Sequence, residues 1–239
     1  MKTFQFKIST VAMLCTALLL GACSDDDDDE MEVEMMPEPM PMNVSYEVTV
    51  TNLTYGQPLS PIAIVLHDEG TIWGVGEAAS NELEVLAEGG DNSGIIGLDM
   101  VTASASGSAP VGPGASETLT VNIEDKTDAK LSLVTMLVNT NDAFTGLTGL
   151  DLSGLMVGDS WSNTVGVYDA GTEANSEAMG TIPGPADGGT GFESVRDDVD
   201  FVARHPGVVS QDDGLSTSVL TQAHRFDNPA IKITITRME

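Results

Sequence analysis

Cysteine, basic residues, histidine and aromatics are all scarce in this chain, and each shortage excludes something. There are two cysteines, Cys15 and Cys23, both near the N-terminus, so the rest of the chain has no disulfide and no thiol. The fold must therefore be held by its core, with bound ions as the remaining means of stapling it. Nine lysines and arginines face 37 acids, a formal charge of −28. Such a surface does not attract nucleic acid or anionic lipid. It suits divalent cations, basic partners or a salty medium, and high acidity is also a plain solubility trait. Aromatics make up 5% of the residues, so aliphatic and β-branched side chains must supply the core. The three histidines, His67, His205 and His224, are not spaced as H-x-x-x-H, which leaves a zinc hydrolase without local support. There is no G-x-S-x-G elbow and no glycine-rich phosphate loop with its lysine. His67-Asp68 ends an apolar run and reads as a loop pair rather than a catalytic one.

Long apolar runs are also missing. Residues 11–20 form the most apolar stretch, broken by Cys15 and Thr16, behind Lys2 and Lys7. That is too short to span a bilayer as a stable helix. A basic start, a short apolar run and small residues at its end describe a secretory signal over residues 1–22. Leu20-Gly21-Ala22-Cys23 resembles the bacterial lipobox, which marks Cys23 for lipidation after cleavage. The signal carries two lysines and no acid, so the remainder has formal charge −30 rather than −28. Residues 23–43 follow with SDDDDDE and then a Met-, Pro- and Glu-rich stretch. Like charge in a block repels and extends, and this composition buries no core. The expectation is a tether, serving as a surface-export signal of bacterial lipoproteins or as a solvated spacer. Its methionines raise soft-metal binding as an idea, but an acidic spacer gives it little support.

Residues 44–239 read as one domain. Residues 44–54 (VSYEVTVTNLT) alternate apolar and polar, the period of a half-buried strand. The same period returns at 117–124 (ETLTVNIE) and 229–237 (PAIKITITR). Residues 61–66 are a short apolar run and 131–138 a mostly apolar one, both read as buried strands. Residues 161–168 are a further strand candidate, and 95–100 a short one. Residues 77–88 are the one convincing helix, with Ala79, Leu83, Leu86 and Ala87 on one face and Gly89-Gly90 as the stop. Gly recurs through residues 147–158 without a fixed period, so a glycine-rich calcium repeat is set aside. Many short strands with turn residues between them predict an all-β, antiparallel β-sandwich with one short helix.

Two acidic breaks follow apolar strands: NTNDAFTGL at 139–147 and YDAGTE at 168–173. Asn, Asp and Gly make turns and leave carboxylates and carbonyls facing outward. Calcium takes 6–8 oxygens at about 2.3–2.6 Å and tolerates irregular geometry, so two such loops could close on it. In so acidic a chain, any single carboxylate is first a solvated surface charge.

The blocks YEVTVTNLT, PIAIVLHD, VGEAASNELEVLAEGGD, NDAFTGL, VYDAGTE and PAIKITI, in this order, resemble the spondin N-terminal domain family in its bacterial form. The resemblance covers nearly all of residues 44–239. It implies a C2-like β-sandwich with bound calcium, found in extracellular-matrix and cell-surface proteins, without enzymatic activity. It places Asp142, Asp169 and Glu173 as calcium ligands. Two positions depart from the family pattern: Ala143 stands where the family has Trp, and Glu173 where it has Asp. The cysteines of animal members are absent. The expectation is a lipoprotein anchored to the bacterial outer membrane, on its periplasmic or outer side. It would bind a surface protein or a glycan in adhesion, and touch the membrane through its lipid alone. The alternatives are a carbohydrate-binding or accessory module, which needs an exposed Trp or Tyr, and a hydrolase using an unrecognised histidine.

Overall fold

In three of the four strands that build one sheet, polar and apolar residues alternate; in the strands at the centre of the other, they do not. A computed structural model describes residues 40–227 and 229–239. The predicted signal peptide, Cys23 and the tether up to residue 39 lie outside the described residues. Among the described residues ten strands form: β1 Asn43–Asn52, β2 Ala63–His67, β3 Val101–Ser106, β4 Ser116–Glu124, β5 Lys130–Met136, β6 Ala143–Asp151, β7 Ser160–Val165, β8 Val167–Asp169, β9 Ala203–Arg204 and β10 Ile231–Arg237. Four of them make a sheet ordered β4-β1-β10-β7, and six make a sheet ordered β3-β2-β5-β6-β8-β9. Every named pairing is antiparallel.

The all-β sandwich expected from the periodicity is present. Val44, Tyr46, Val48 and Val50 on β1, with Ile231, Ile233 and Ile235 on β10, point into the inter-sheet core. They meet Ile64, Leu66, Leu131 and Leu133 of the larger sheet. The outer face of the small sheet carries hydroxyls, paired across strands as Thr49 with Thr118 and Ser162 with Thr234.

β2 and β5 are buried on both faces because a second core lies behind the larger sheet. There Val65, Val134, Met136 and Phe144 pack against Leu83, Leu86 and Ala87 of the helix α1 (Asn81–Gly89). A strand covered on both sides has no wet face, which is why residues 131–138 are mostly apolar and their two hydroxyl residues, Ser132 and Thr135, are buried.

α1 starts later than the apolar spacing predicts. Ser80 caps it, its hydroxyl accepting from Leu83 N at 3.2 Å, and residues 77–79 stay outside. Gly90, at φ 72°, ends it with its N–H on Leu86 O. Residues 95–100 are not a strand. A single helical turn, α2 (Ser93–Ile96), forms there because Asp91 Oδ1 accepts from Ser93 N and tightens the chain. The glycine-punctuated residues 147–151 continue β6 rather than looping. The long segment between β8 and β10 is mostly irregular and has its own small core of Ile182, Val208 and Leu220.

Candidate metal centre

The two acidic breaks become neighbours through strand pairing. β6 and β8 run side by side with Ala143 opposite Asp169. Asp142 is the residue before β6 and Asp169 the last of β8, so both carboxylates fall at the same end of the sheet. Ala170 N donates to Asp142 O at 3.3 Å and closes the junction.

Asp142 is fully buried. Its Oδ2 accepts from Thr172 N at 2.8 Å, Glu173 N at 3.1 Å and the Thr172 hydroxyl at 3.3 Å. Its Oδ1 is buried and has no hydrogen-bond partner. Burial first, and the nearby charge of Asp169 second, push its carboxyl up to about 7, against the pull of the two backbone donors. Asp169 is nearly buried, with Oδ1 accepting from Gly171 N at 2.8 Å and Oδ2 from Asn175 Nδ2 at 2.6 Å.

His205 stands behind Asp169, with Nε2 at 4.0 Å from Asp169 Oδ2 and 3.1 Å from Asn175 Oδ1. Its Nδ1 accepts from Gly207 N, so the ring proton sits on Nε2 and is donated to Asn175. Burial holds this histidine down to about 4 despite the opposing pull of Asp169, and it is neutral at pH 7.

A third carboxylate comes from a segment that sequence reasoning passed over. Asp197 N donates to Thr172 O at 3.1 Å and Asp200 N to Gly171 O at 2.7 Å, so residues 197–200 run along the YDAGTE turn. The fit is close at Gly171, whose φ is 71° and where an added Cβ would sit 2.3 Å from Phe201 O. Asp198, half-buried between those bonds, is raised by burial and by Asp169, and in turn raises Asp142. Arg196 clamps the segment to α1. Its Nε and Nη2 donate to Glu84 Oε2 at 3.1 and 2.7 Å, its Nη2 to Ala79 O at 2.8 Å, and its Nη1 to Asp200 Oδ1 at 2.6 Å. Glu84 is 4% exposed, so Arg196→Ala leaves a buried carboxylate without its cation. The expected cost is about 3 kcal/mol, read by urea denaturation, with faster amide exchange confined to residues 197–202.

Glu173 does not join the pair. Its backbone N–H serves Asp142, but its Oε1 accepts from Asn141 Nδ2 at 2.8 Å. It is pushed up to about 7 by burial and by a different set of acids, Glu88, Asp197 and Glu193. It lines a cavity of about 400 Å³ with Thr181, Thr190, Glu193, Val195 and Asp197. Among the described residues, no three His, Cys, Asp or Glu side chains are close enough to hold one metal ion between them. The larger cavity, about 530 Å³ beside Asn43, Thr102 and Lys126, contains none of these acids.

The residues around Asp142 fit a hard cation in kind. They offer all-oxygen donors, one of them a buried carboxylate oxygen with no protein partner, and two further carboxylates close enough to be felt. Asp142 and Asp169 would hold the ion, with loop carbonyls completing its shell and the charge of Asp198 felt from farther off. An ion there supplies the positive charge that two buried carboxylates lack.

The other histidines are placed differently from their sequence reading. His67 is not a loop residue but the buried last residue of β2. Its Nδ1 lies 3.0 Å from Glu69 O and its Nε2 2.8 Å from the Ser132 hydroxyl. Ser132 also accepts from Gly149 N. Both are fully buried and line neither cavity. Trp73 is enclosed, edge-on to Phe144 and Tyr168 with ring centroids 5.1 and 5.8 Å away. Trp161 is half-buried against the inter-sheet core.

No protein-family model matches the chain, and no curated protein matches it.

Proposed function

We propose that residues 44–239 form a calcium-stabilised binding domain, tethered to a bacterial envelope by a lipid on Cys23, that engages a surface protein or glycan without catalysing a reaction. The observation that carries the metal part is Asp142: a fully buried carboxylate with one oxygen unpartnered, within reach of the charge of Asp169. Two carboxylates out of water repel and are poorly solvated, and a divalent cation relieves both costs at once. Stabilisation by an ion also suits a domain without disulfides. No helix among the described residues is long and apolar enough to cross a membrane. In this proposal the lipid is the anchor.

The binding role is favoured over hydrolysis by the enclosure of the Ser132–His67 pair, which a substrate cannot reach without opening the second core. Burial of Trp73 takes it out of any glycan platform, and Tyr55, 82% exposed, is the ring that a glycan-binding role would use.

Calcium added to the full-length chain should raise its melting temperature, and EGTA should reverse the rise. At 100 times Kd the gain is about 2.7 kcal/mol if calcium binds the native state alone, or roughly 5–10 °C for a domain of this size. A flat titration would remove the metal from the proposal.

A further inference from the structure

The cavity beside Glu173 is separate from the Asp142 centre, and its chemistry is unlike that of a metal site. Three carboxylates, those of Glu173, Glu193 and Asp197, surround about 400 Å³ together with the hydroxyls of Thr181 and Thr190. No lysine or arginine lines it. The nearest cation in sequence, Arg196, is already bound to Glu84, Ala79 O and Asp200. The carboxylates are too dispersed to hold a single metal ion among them, and the volume falls in the range of sites that hold organic groups. Val195, 74% exposed, places an apolar surface on the same wall.

An independent observation lies behind that wall. Glu88, on the last turn of α1, is 1% exposed. Its Oε2 accepts from the backbone N–H of Glu193, at 2.9 Å, and its Oε1 has no hydrogen-bond partner. The Thr172 hydroxyl lies near it but is committed to Asp142 at 3.3 Å. An acidic wall thus has a further buried carboxylate behind it, and Arg196, whose charge Glu88 feels, is already held by Glu84 and Asp200.

We propose that this cavity receives the guanidinium of an arginine side chain presented by a basic polypeptide partner. A guanidinium is planar and offers five donors, so it can satisfy separated carboxylates and hydroxyls together, where a compact ion cannot. Its aliphatic stem lies against Val195 while its head reaches Glu193 and Glu173. The net charge of the chain draws such a partner in and repels acidic ones. The site stands independently of the calcium centre, because it uses different carboxylates.

The test is calorimetric titration of the full-length protein, calcium-saturated and at about 0.15 M salt, with N-acetyl-arginine amide. N-acetyl-citrulline amide, of the same shape without the charge, is the control. Binding of the first and not the second is expected. Glu193→Gln removes one charge-assisted contact from an exposed side chain and should weaken binding about tenfold at unchanged melting temperature. Asp142→Asn should bind the probe as wild type does even where its calcium response is gone, which separates this site from the metal centre. Equal binding of citrulline, no loss in Glu193→Gln, or no binding at all would overturn the proposal. Binding of the probe in EGTA that added calcium displaces would make the cavity a metal site instead. Tighter binding of spermidine would make its ligand a free polyamine.

Discussion

Asp142→Asn is expected to stabilise the calcium-free protein near pH 7.5 and to abolish its response to calcium. The two effects have opposite signs and one cause. Asp142 titrates near 7 in the folded chain, against 3.8 for an ordinary aspartate. Between those values the folded state holds a proton that the unfolded chain has released. For this group, stability in EGTA is therefore greatest at low pH and is lost as pH rises through 7. The slope is up to about 1.4 kcal/mol per pH unit for one proton. Glu173 acts in the same direction. His205 acts in the opposite one: held down to about 4, it stays neutral in the fold, and its contribution is lost as pH falls from 6.5 toward 4. Above pH 6.5 the carboxylates act alone. In EGTA, melting temperature should therefore rise as pH is lowered from about 8 to 6.5. In saturating calcium the order should invert, because protons then compete with the ion. Asparagine keeps the shape and the backbone hydrogen bonds to its carbonyl oxygen, carries no charge and holds calcium poorly. It should flatten both slopes and raise the calcium-free stability by roughly 1–3 kcal/mol. Wild type that melts independently of pH and calcium across this window would refute the buried-charge account.

Phe144→Ala should be the most damaging single truncation near the site. Phe144 is fully buried on β6, two residues from Asp142. It is edge-on to Trp73 at 5.1 Å and stacked on Tyr168 at 5.4 Å, and Arg204 covers the Tyr168 ring at 4.3 Å. This cluster joins β6, β8 and the residues before α1 behind the larger sheet. Removing its middle ring leaves a cavity that rigid neighbours cannot fill, at a cost of about 3–5 kcal/mol. Urea denaturation should show a lower midpoint with an unchanged slope, and Trp73 fluorescence should shift with the loss of its ring contact. A cost under about 1 kcal/mol would mean that the cluster repacks.

The strand pattern was legible because burial in a two-layer sheet imposes a period of two on the strands that keep a wet face. β1, β4 and β10 show it, and the doubly covered β5 lacks it for the same reason. Helix α1 was legible from its apolar face, but its start was not, since Ser80 rather than the spacing sets it. Asp142 and Asp169 were recognisable as a pair of acids ending apolar strands, and strand pairing does bring them to one end of a sheet. Whether they share an ion is left to the titrations above.

The rest depended on contacts between distant parts of the chain. Glu84 and Glu88 read as solvated residues of an amphipathic helix. Their partners are 105 to 112 residues away, in a loop without periodicity. A faint signal existed: Arg196 is one of nine basic residues and stands alone within a run of acids. Alternation and turn chemistry in the sequence determined that the chain would make a β-sandwich with acidic turns at its strand ends, because those patterns reflect local geometry and burial. Only the tertiary structure decided that the Glu173 carboxylate pairs with Asn141, that the segment carrying Asp198 runs along the 168–173 turn, and that the buried Glu88 stands behind Glu193. A side chain's direction at a loop, and the charge it meets there, are set by packing between segments that no local pattern records.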